Sequence, residues 1–382
     1  MNHQKPLMKK CKLLYFISED QYFLTHKINQ AKDSFALMNN IMVVSNFSNY
    51  ENKIKKIGFE TFNLKFNRKS INPLSNLILI FNFVKVVKKF NPDFIQCIAL
   101  KPILLTIIAS AFLKKKIKII CCVVGMGYLF INKNFSTYLL KVLYFTLLKI
   151  FFSKRLYFIF QNKDDNFIFK RLGFSKPSNT TIIRGSGVNI KKFKPKKIKK
   201  IYDCIFHSRI LKDKGIFEII DALKLLHKKK IFPKILILGS PDPGNYASVD
   251  ESLLKKWKKE NLIIWKPRVS DVSTFLQQSK ISILPSYREG LPKSLLEAAS
   301  CALPIIASNV PGCKEICHNE YNGFLVKPKD HKDLAKAIQK LINNKTLIKK
   351  FGENSRLLVE KNFSDQKISS DFQIFFKKQM LK

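Results

Sequence analysis

The chain has 382 residues, is 46% hydrophobic and carries a formal net charge of +42, so it can hold two domains and is too apolar to be disordered. Lys supplies nearly all of the positive charge, and with abundant Asn, Ile and Phe this reflects coding bias as much as ligand choice; such a surface is still drawn to polyanions, whether lipid headgroups, lipid diphosphates or nucleic acid. No uninterrupted apolar run reaches the ~18 residues of a membrane span, and the polar stretch 1–11 does not read as a signal peptide.

The eight cysteines form no C-x-x-C pair, and Cys313, Cys317 and His318 lack a second ligand pair for zinc. Reduced thiols in a cytoplasmic protein are expected.

In chain order, 12–17 is predicted as a strand, followed by Ser18-Glu19-Asp20 and a helix over 23–38 that carries His26. Strands are expected at 41–44 and 62–66, then the loop Arg68-Lys69-Ser70-Ile71-Asn72-Pro73 and a helix over 74–90. Apolar runs at 94–99 and 117–124 lead to Lys101-Pro102 and to Gly125-Met126-Gly127. Strands alternating with helices of this length imply a doubly wound parallel sheet, whose polar strand ends line one crevice.

Segment 138–160 mixes aromatic residues with Lys141, Lys149, Lys154 and Arg155, and is expected to form one or two amphipathic helices, at a membrane interface or inside the domain. Strands at 156–161 and 181–183 precede the turn-rich Arg184-Gly185-Ser186-Gly187-Val188-Asn189, and the Lys-rich run 191–200 is expected to be a linker.

A second α/β region follows. A strand at 204–206 leads to Ser208-Arg209-Ile210-Leu211-Lys212-Asp213-Lys214-Gly215, where two cations five positions apart can converge on one diphosphate. A strand at 263–265 precedes Lys266-Pro267-Arg268-Val269. The apolar run 281–284 then opens into Pro285-Ser286-Tyr287-Arg288-Glu289-Gly290-Leu291-Pro292-Lys293-Ser294-Leu295-Leu296-Glu297-Ala298. Pro292 suits the first turn of a helix, and the amides of such a helix start bind phosphate. Glu289 and Glu297 would repel that phosphate, and are suited to accepting hydrogen bonds from sugar hydroxyls beside it.

The string PSYREGLPKSLLEA, with SRILKDKG before it and NGFLV after it, resembles the retaining glycosyltransferases of family 4. That resemblance implies the GT-B fold, two Rossmann-like α/β domains facing a central cleft. It divides the chain into an acceptor domain at 1–190, a linker at 191–200, a nucleotide-sugar domain at 201–363 and a C-terminal helix at 364–382 that crosses back. Arg209, Lys214 and Glu289 would be catalytic. The donor would be held by these with Arg268, Val269, Gly290, Leu291, Pro292, Ser294 and Glu297, the last on the ribose.

The order ISEDQYFLTHK, RKSINP, ALKP, VGMGYLF resembles the subgroup that extends lipid-diphosphate-linked sugars, such as the N-acetylgalactosaminyltransferase of bacterial N-glycan assembly. Glu19, Asp20, His26, Lys101, Gly125 and Gly127 would then face the acceptor. The chain departs from the family where Lys266-Pro267 replaces a Gly near the base, and where Gly125-Met126-Gly127 replaces a His. No D-x-D motif occurs, which favours a metal-independent mechanism with no cofactor. The partners implied are a nucleotide sugar, most simply a UDP-sugar, a polyprenyl-diphosphate-linked acceptor and the anionic cytoplasmic face of the inner membrane. The alternatives are a GT-B enzyme with a soluble acceptor, a nucleotide-sugar epimerase lacking the Arg209, Lys214, Glu289 and Glu297 set, an inactive scaffold, and a nucleic-acid-binding protein. The last would need a recognition module, and no such signature is present.

Overall fold

The structure, a computed structural model, describes residues 11–65, 70, 72–131 and 134–381; Arg68, Lys69 and Ile71 of the predicted loop lie outside the described residues. The chain forms two compact units, one running to Ser186 and resuming at Ile368, the other Gly187–Lys367.

In the first unit seven parallel strands, β1 (Cys11–Glu19), β2 (Met38–Asn46), β3 (Glu60–Asn63), β4 (Phe94–Ile98), β5 (Lys118–Val123), β6 (Leu156–Phe160) and β7 (Thr180–Ile182), lie in the order β3-β2-β1-β4-β5-β6-β7. The alternation along β1 explains its place at the centre of the sheet. Leu14 and Phe16 enter the apolar cluster on one face, while Leu13, Tyr15 and Ile17 enter the cluster on the other. From Ile368 the C-terminal helix Asp365–Met380 closes the second face, with Phe372 and Phe376 buried and Phe376 edge-on to Phe94.

In the second unit six parallel strands, β8 (Tyr202–His207), β9 (Ile235–Leu238), β10 (Ile264–Lys266), β11 (Ser279–Leu284), β12 (Ile305–Ser308) and β13 (Gly323–Val326), take the order β10-β9-β8-β11-β12-β13. The chain moves outward from β8 to β10, then restarts at β11 on the other side of β8. Connections therefore leave β8 and β11 in opposite directions, and their carboxyl ends open a crevice. The same reversal occurs between β1 and β4 in the first unit.

Several sequence expectations are corrected. The helix predicted over 23–38 is two short ones, Asp20–His26 and Ile28–Ser34, because Lys27 leaves helical geometry and turns its side chain inward. Segment 138–160 holds one helix, Phe135–Ile150, and then the buried strand β6. Residues 187–200 are no free linker but belong to the second unit. The Phe193 carbonyl accepts from Arg356 Nη1 at 2.9 Å, the Lys194 carbonyl accepts from Gln277 Nε2 at 2.9 Å, and Phe193 is buried in the core. The Lys-rich composition hid this one anchoring aromatic.

Candidate active site

Functional side chains gather at the carboxyl ends of β8 and β11. His207 is the last residue of β8, Arg209 and Lys214 follow in the next loop, Glu289 lies in the loop after β11, and Glu297 sits on the helix Lys293–Ser300. Two glycines let these loops close on one another. A Cβ at Gly215 (φ +79°) would lie 2.2 Å from the Pro285 carbonyl oxygen, and one at Gly312 (φ +79°) would lie 2.5 Å from that of Gly290. The Tyr287 amide also donates to the Asp213 carbonyl at 2.9 Å, and its hydroxyl donates to Glu218 Oε1 at 2.7 Å.

The two cations predicted for the diphosphate each meet a carboxylate. Lys214 Nζ meets Glu289 Oε1 at 2.5 Å, with side-chain exposures of 16% and 10%, and Ser286 Oγ donates to the same oxygen at 2.7 Å. Arg209 Nη1 reaches Asp242 Oδ2, in the turn after β9, at 2.8 Å on a more exposed rim. The two cations thus pair with different carboxylates, and both act on the Asp213 carboxyl between them in the sequence. Burial pushes the Asp213 carboxyl up, Lys214 opposes that shift and Glu289 adds to it.

Glu297 points back toward β8, where its Oε2 lies 3.3 Å from His207 Nε2. His207 was not among the predicted site residues, nor were Asp242, Ser286 or Lys293. Lys293 opens the helix. Burial pushes its amine down, while Glu297 and Asp365 push it back up. Pro292 is a correction, because it stands at the cap with ψ 112° and its carbonyl accepts from Leu295 at 3.1 Å, so the first turn begins one residue later. The amides of that turn, from Lys293 and Ser294, are the ones a helix start leaves for an anion. Gly290 is buried, Leu291 and Ser294 are half-buried, and Arg268 is exposed beside half-buried Val269 in the loop after β10.

In the first unit the predicted acceptor residues are less concentrated. Asp20 is a correction: it is buried, and its carboxylate accepts from the amides of Gln21, Ser48 and Tyr50 and from Ser48 Oγ, so it closes a loop and is not turned to a ligand. His26 stacks on Tyr22 at 4.1 Å, with Nδ1 2.7 Å from Thr25 Oγ1. Glu19 ends β1, and Lys101, after β4, donates to the Ser70 carbonyl at 2.7 Å, its amine pushed down by burial. Gly125 (φ 126°) and Gly127 (φ 36°) follow β5.

Comparison with known proteins gives the same two-part division. Residues 188–358 match the model described as "Glycosyl transferases group 1", and 12–162 match "Glycosyl transferase 4-like". The Campylobacter jejuni N,N'-diacetylbacillosaminyl-diphospho-undecaprenol alpha-1,3-N-acetylgalactosaminyltransferase is 30% identical over 329 residues, 82% of this chain and 85% of that one. Among solved structures, sucrose-phosphate synthase from Thermosynechococcus elongatus superposes with a TM-score of 0.79 at 15% identity, covering 97% of this chain and 100% of the other. Anabaena Alr3699/HepE, solved with UDP and glucose, does so with a TM-score of 0.75 at 16% identity, covering 96% and 99%.

Proposed function

The chain belongs to the group 1, family-4-like glycosyltransferases of GT-B fold, and from that premise we propose that it moves a hexose or N-acetylhexosamine from a UDP-sugar to a saccharide carried on a polyprenyl diphosphate. The observation that carries this reading is the set Lys214–Glu289 and His207–Glu297 at the β8/β11 crevice.

In the reaction, the bond from the anomeric carbon to the diphosphate oxygen breaks and negative charge grows on the leaving group. Arg209, Lys214 and the amides of the helix starting at Lys293 stabilise that charge. To do so, Lys214 must share or leave its contact with Glu289, and the freed carboxylate then accepts hydrogen bonds from the donor sugar. Glu297 takes the ribose hydroxyls. The acceptor hydroxyl forms its bond on the face the diphosphate leaves, which gives retention, and its proton goes to the departing phosphate. The scheme uses cations of the chain where other transferases use a D-x-D-bound metal. The first unit would bind the acceptor at the cytoplasmic face of the inner membrane. A soluble acceptor is less favoured, since the relative spanning most of both chains is named for a lipid-linked one.

The test is calorimetric binding of UDP, GDP and ADP without added metal, on wild type and Glu297→Ala. UDP should bind, and loss of a hydrogen-bonded charge worth about 1.5–3 kcal/mol should weaken it roughly ten- to a hundredfold. Absence of binding by any of the three at millimolar concentration overturns the assignment.

A further inference from the structure

Within the second unit, the loop after β8 carries Lys214 and the loop after β11 carries Glu289. Tyr287 joins the two. It stands between Ser286 and Glu289 on the second loop, and its amide donates to the Asp213 carbonyl, next to Lys214, at 2.9 Å. Its hydroxyl donates to Glu218 Oε1 at 2.7 Å, and Glu218 is the third residue of the helix Ile216–Lys228 into which the first loop runs. The Lys329 ammonium, in the turn after β13, sits 4.7 Å above the same ring. Beside these bonds the two backbones already touch, because Gly215 has no Cβ to hold off the Pro285 carbonyl.

The hydroxyl bond is hard to give up. Glu218 Oε2 is buried and has no hydrogen-bond partner among the described residues, so a carboxylate that also lost the Tyr287 hydroxyl would be left poorly satisfied. Burial, and then the Glu218 carboxylate, hold the phenol above its ordinary value, so it stays a donor at neutral pH. The proposed reaction sets the need for such a bond. When the donor arrives, Lys214 turns from Glu289 to the diphosphate, and Glu289 turns to the sugar hydroxyls. The ion pair that ties the loops at rest therefore loosens at the step where cation and carboxylate must keep their spacing. Neither Glu218 nor the Asp213 carbonyl takes part in that exchange, so the contacts of Tyr287 persist through it.

We propose that Tyr287 is a positioning residue: with Glu218 it braces the Lys214 loop against the Glu289 loop while the Lys214–Glu289 pair opens around the leaving diphosphate. The proposal rests on the glycosyl-transfer reading of the site. A brace of this kind acts once the donor is bound, so its effect belongs in kcat and not in donor KM.

The test is cleavage of UDP-hexoses and UDP-N-acetylhexosamines by the full chain, followed as UDP release with and without a lipid-linked acceptor. Hydrolysis without an acceptor breaks the same anomeric bond, so the result does not depend on which acceptor is used. Wild type is compared with Tyr287→Phe, Glu218→Ala, Glu218→Gln and the double variant Tyr287→Phe/Glu218→Ala. Tyr287→Phe, which deletes the hydroxyl and keeps the ring under Lys329, should lower kcat about tenfold with donor KM within about twofold. Glu218→Ala should fall equally and the double variant no further, while Glu218→Gln, whose amide oxygen still accepts, should stay within about threefold of wild type. Calorimetric UDP binding checks that each variant keeps a folded donor site; if Glu218→Ala loses it, Tyr287→Phe and Glu218→Gln carry the test. An unchanged kcat in Tyr287→Phe overturns the brace and leaves a structural contact. So does a raised KM or lost UDP binding with kcat unmoved, or a Glu218→Gln variant as slow as Tyr287→Phe. A wild type that cleaves no UDP-sugar removes the proposed function and the brace with it, whereas an active wild type matched by Tyr287→Phe removes the brace alone.

Discussion

At the carboxyl ends of β8 and β11 the second unit brings His207, Arg209, Lys214, Glu289 and Glu297 together, each joined to a partner across the crevice or on its rim. At the matching ends of β1 and β4 the first unit engages Asp20 in a loop and ties Lys101 to the Ser70 carbonyl. Its other polar effort lies deep inside, where the fully buried Lys27 meets Gln30 at 3.2 Å, and Gln30 meets Gln96 at 3.2 Å. The contrast follows from what each unit is proposed to bind. A leaving diphosphate demands cations and carboxylates at fixed places. An acceptor delivered on a lipid can be selected by shape and by the surface that carries it.

The largest effect should come from breaking the second unit's side of that contrast. Lys214→Ala removes the cation proposed to face the developing charge and leaves the nearly buried Glu289 with its hydrogen bond from Ser286. Turnover, followed as UDP release with a lipid-linked acceptor, should drop about 10²–10³-fold, the loss seen when one transition-state donor is deleted. A loss under tenfold would mean that Lys214 is a structural partner of Glu289 and no more.

The first unit is sharpened by removing its buried amine. Burial pushes Lys27 below its ordinary range, with Cys122 opposing that shift, and its ammonium meets Gln30 and the Phe372 ring, 4.9 Å away. A lowered folded value means that the unfolded chain binds the proton more tightly. Stability is therefore least below the folded value and rises as pH climbs toward the ordinary lysine range. Lys27→Met should stabilise the first unit by about 1–2 kcal/mol at neutral pH, since apolar replacements of buried charges often do so. The gap to wild type should narrow at alkaline pH, which thermal melts at both conditions will read. A destabilised variant would show that the amine holds the helix Asp365–Met380 in place.

How much of this was legible in the sequence varies with the range of the interactions. Strand positions and the doubly wound order could be read because buried parallel strands are unbroken apolar runs, as residues 281–284 of β11 show. Arg209, Lys214, Glu289 and Glu297 could be read because their residue types recur at set positions beside a turn and a helix start. Their pairings could not. Arg209 meets Asp242 at 33 positions' separation, Lys214 meets Glu289 at 75, and His207 meets Glu297 at 90, distances that no local spacing reports. The supposed linker failed for a related reason. Phe193 and the carbonyls beside it find partners at Gln277, Ser300 and Arg356, so a polar composition concealed an ordered strap. Asp20 looked like a ligand because its role as an acceptor for the 48–50 loop is set by tertiary contact.

His207 gives the smallest and most discriminating effect. It lies at the end of β8, 7% exposed, with Nε2 3.3 Å from the carboxylate proposed to hold the ribose. A ring in that place does not touch the breaking bond. It sets which way Glu297 faces before the donor arrives, so it acts on donor affinity and not on the chemical step. His207→Gln, which keeps a donor near the same position, should raise the donor KM about threefold or less with kcat unchanged. His207→Ala, which leaves Glu297 without that contact, should raise KM about tenfold, the worth of one hydrogen bond to a charged group. A drop in kcat with KM unmoved would place His207 in the reaction itself, and would make the β8 end of the second unit a catalytic element where it is now read as a support.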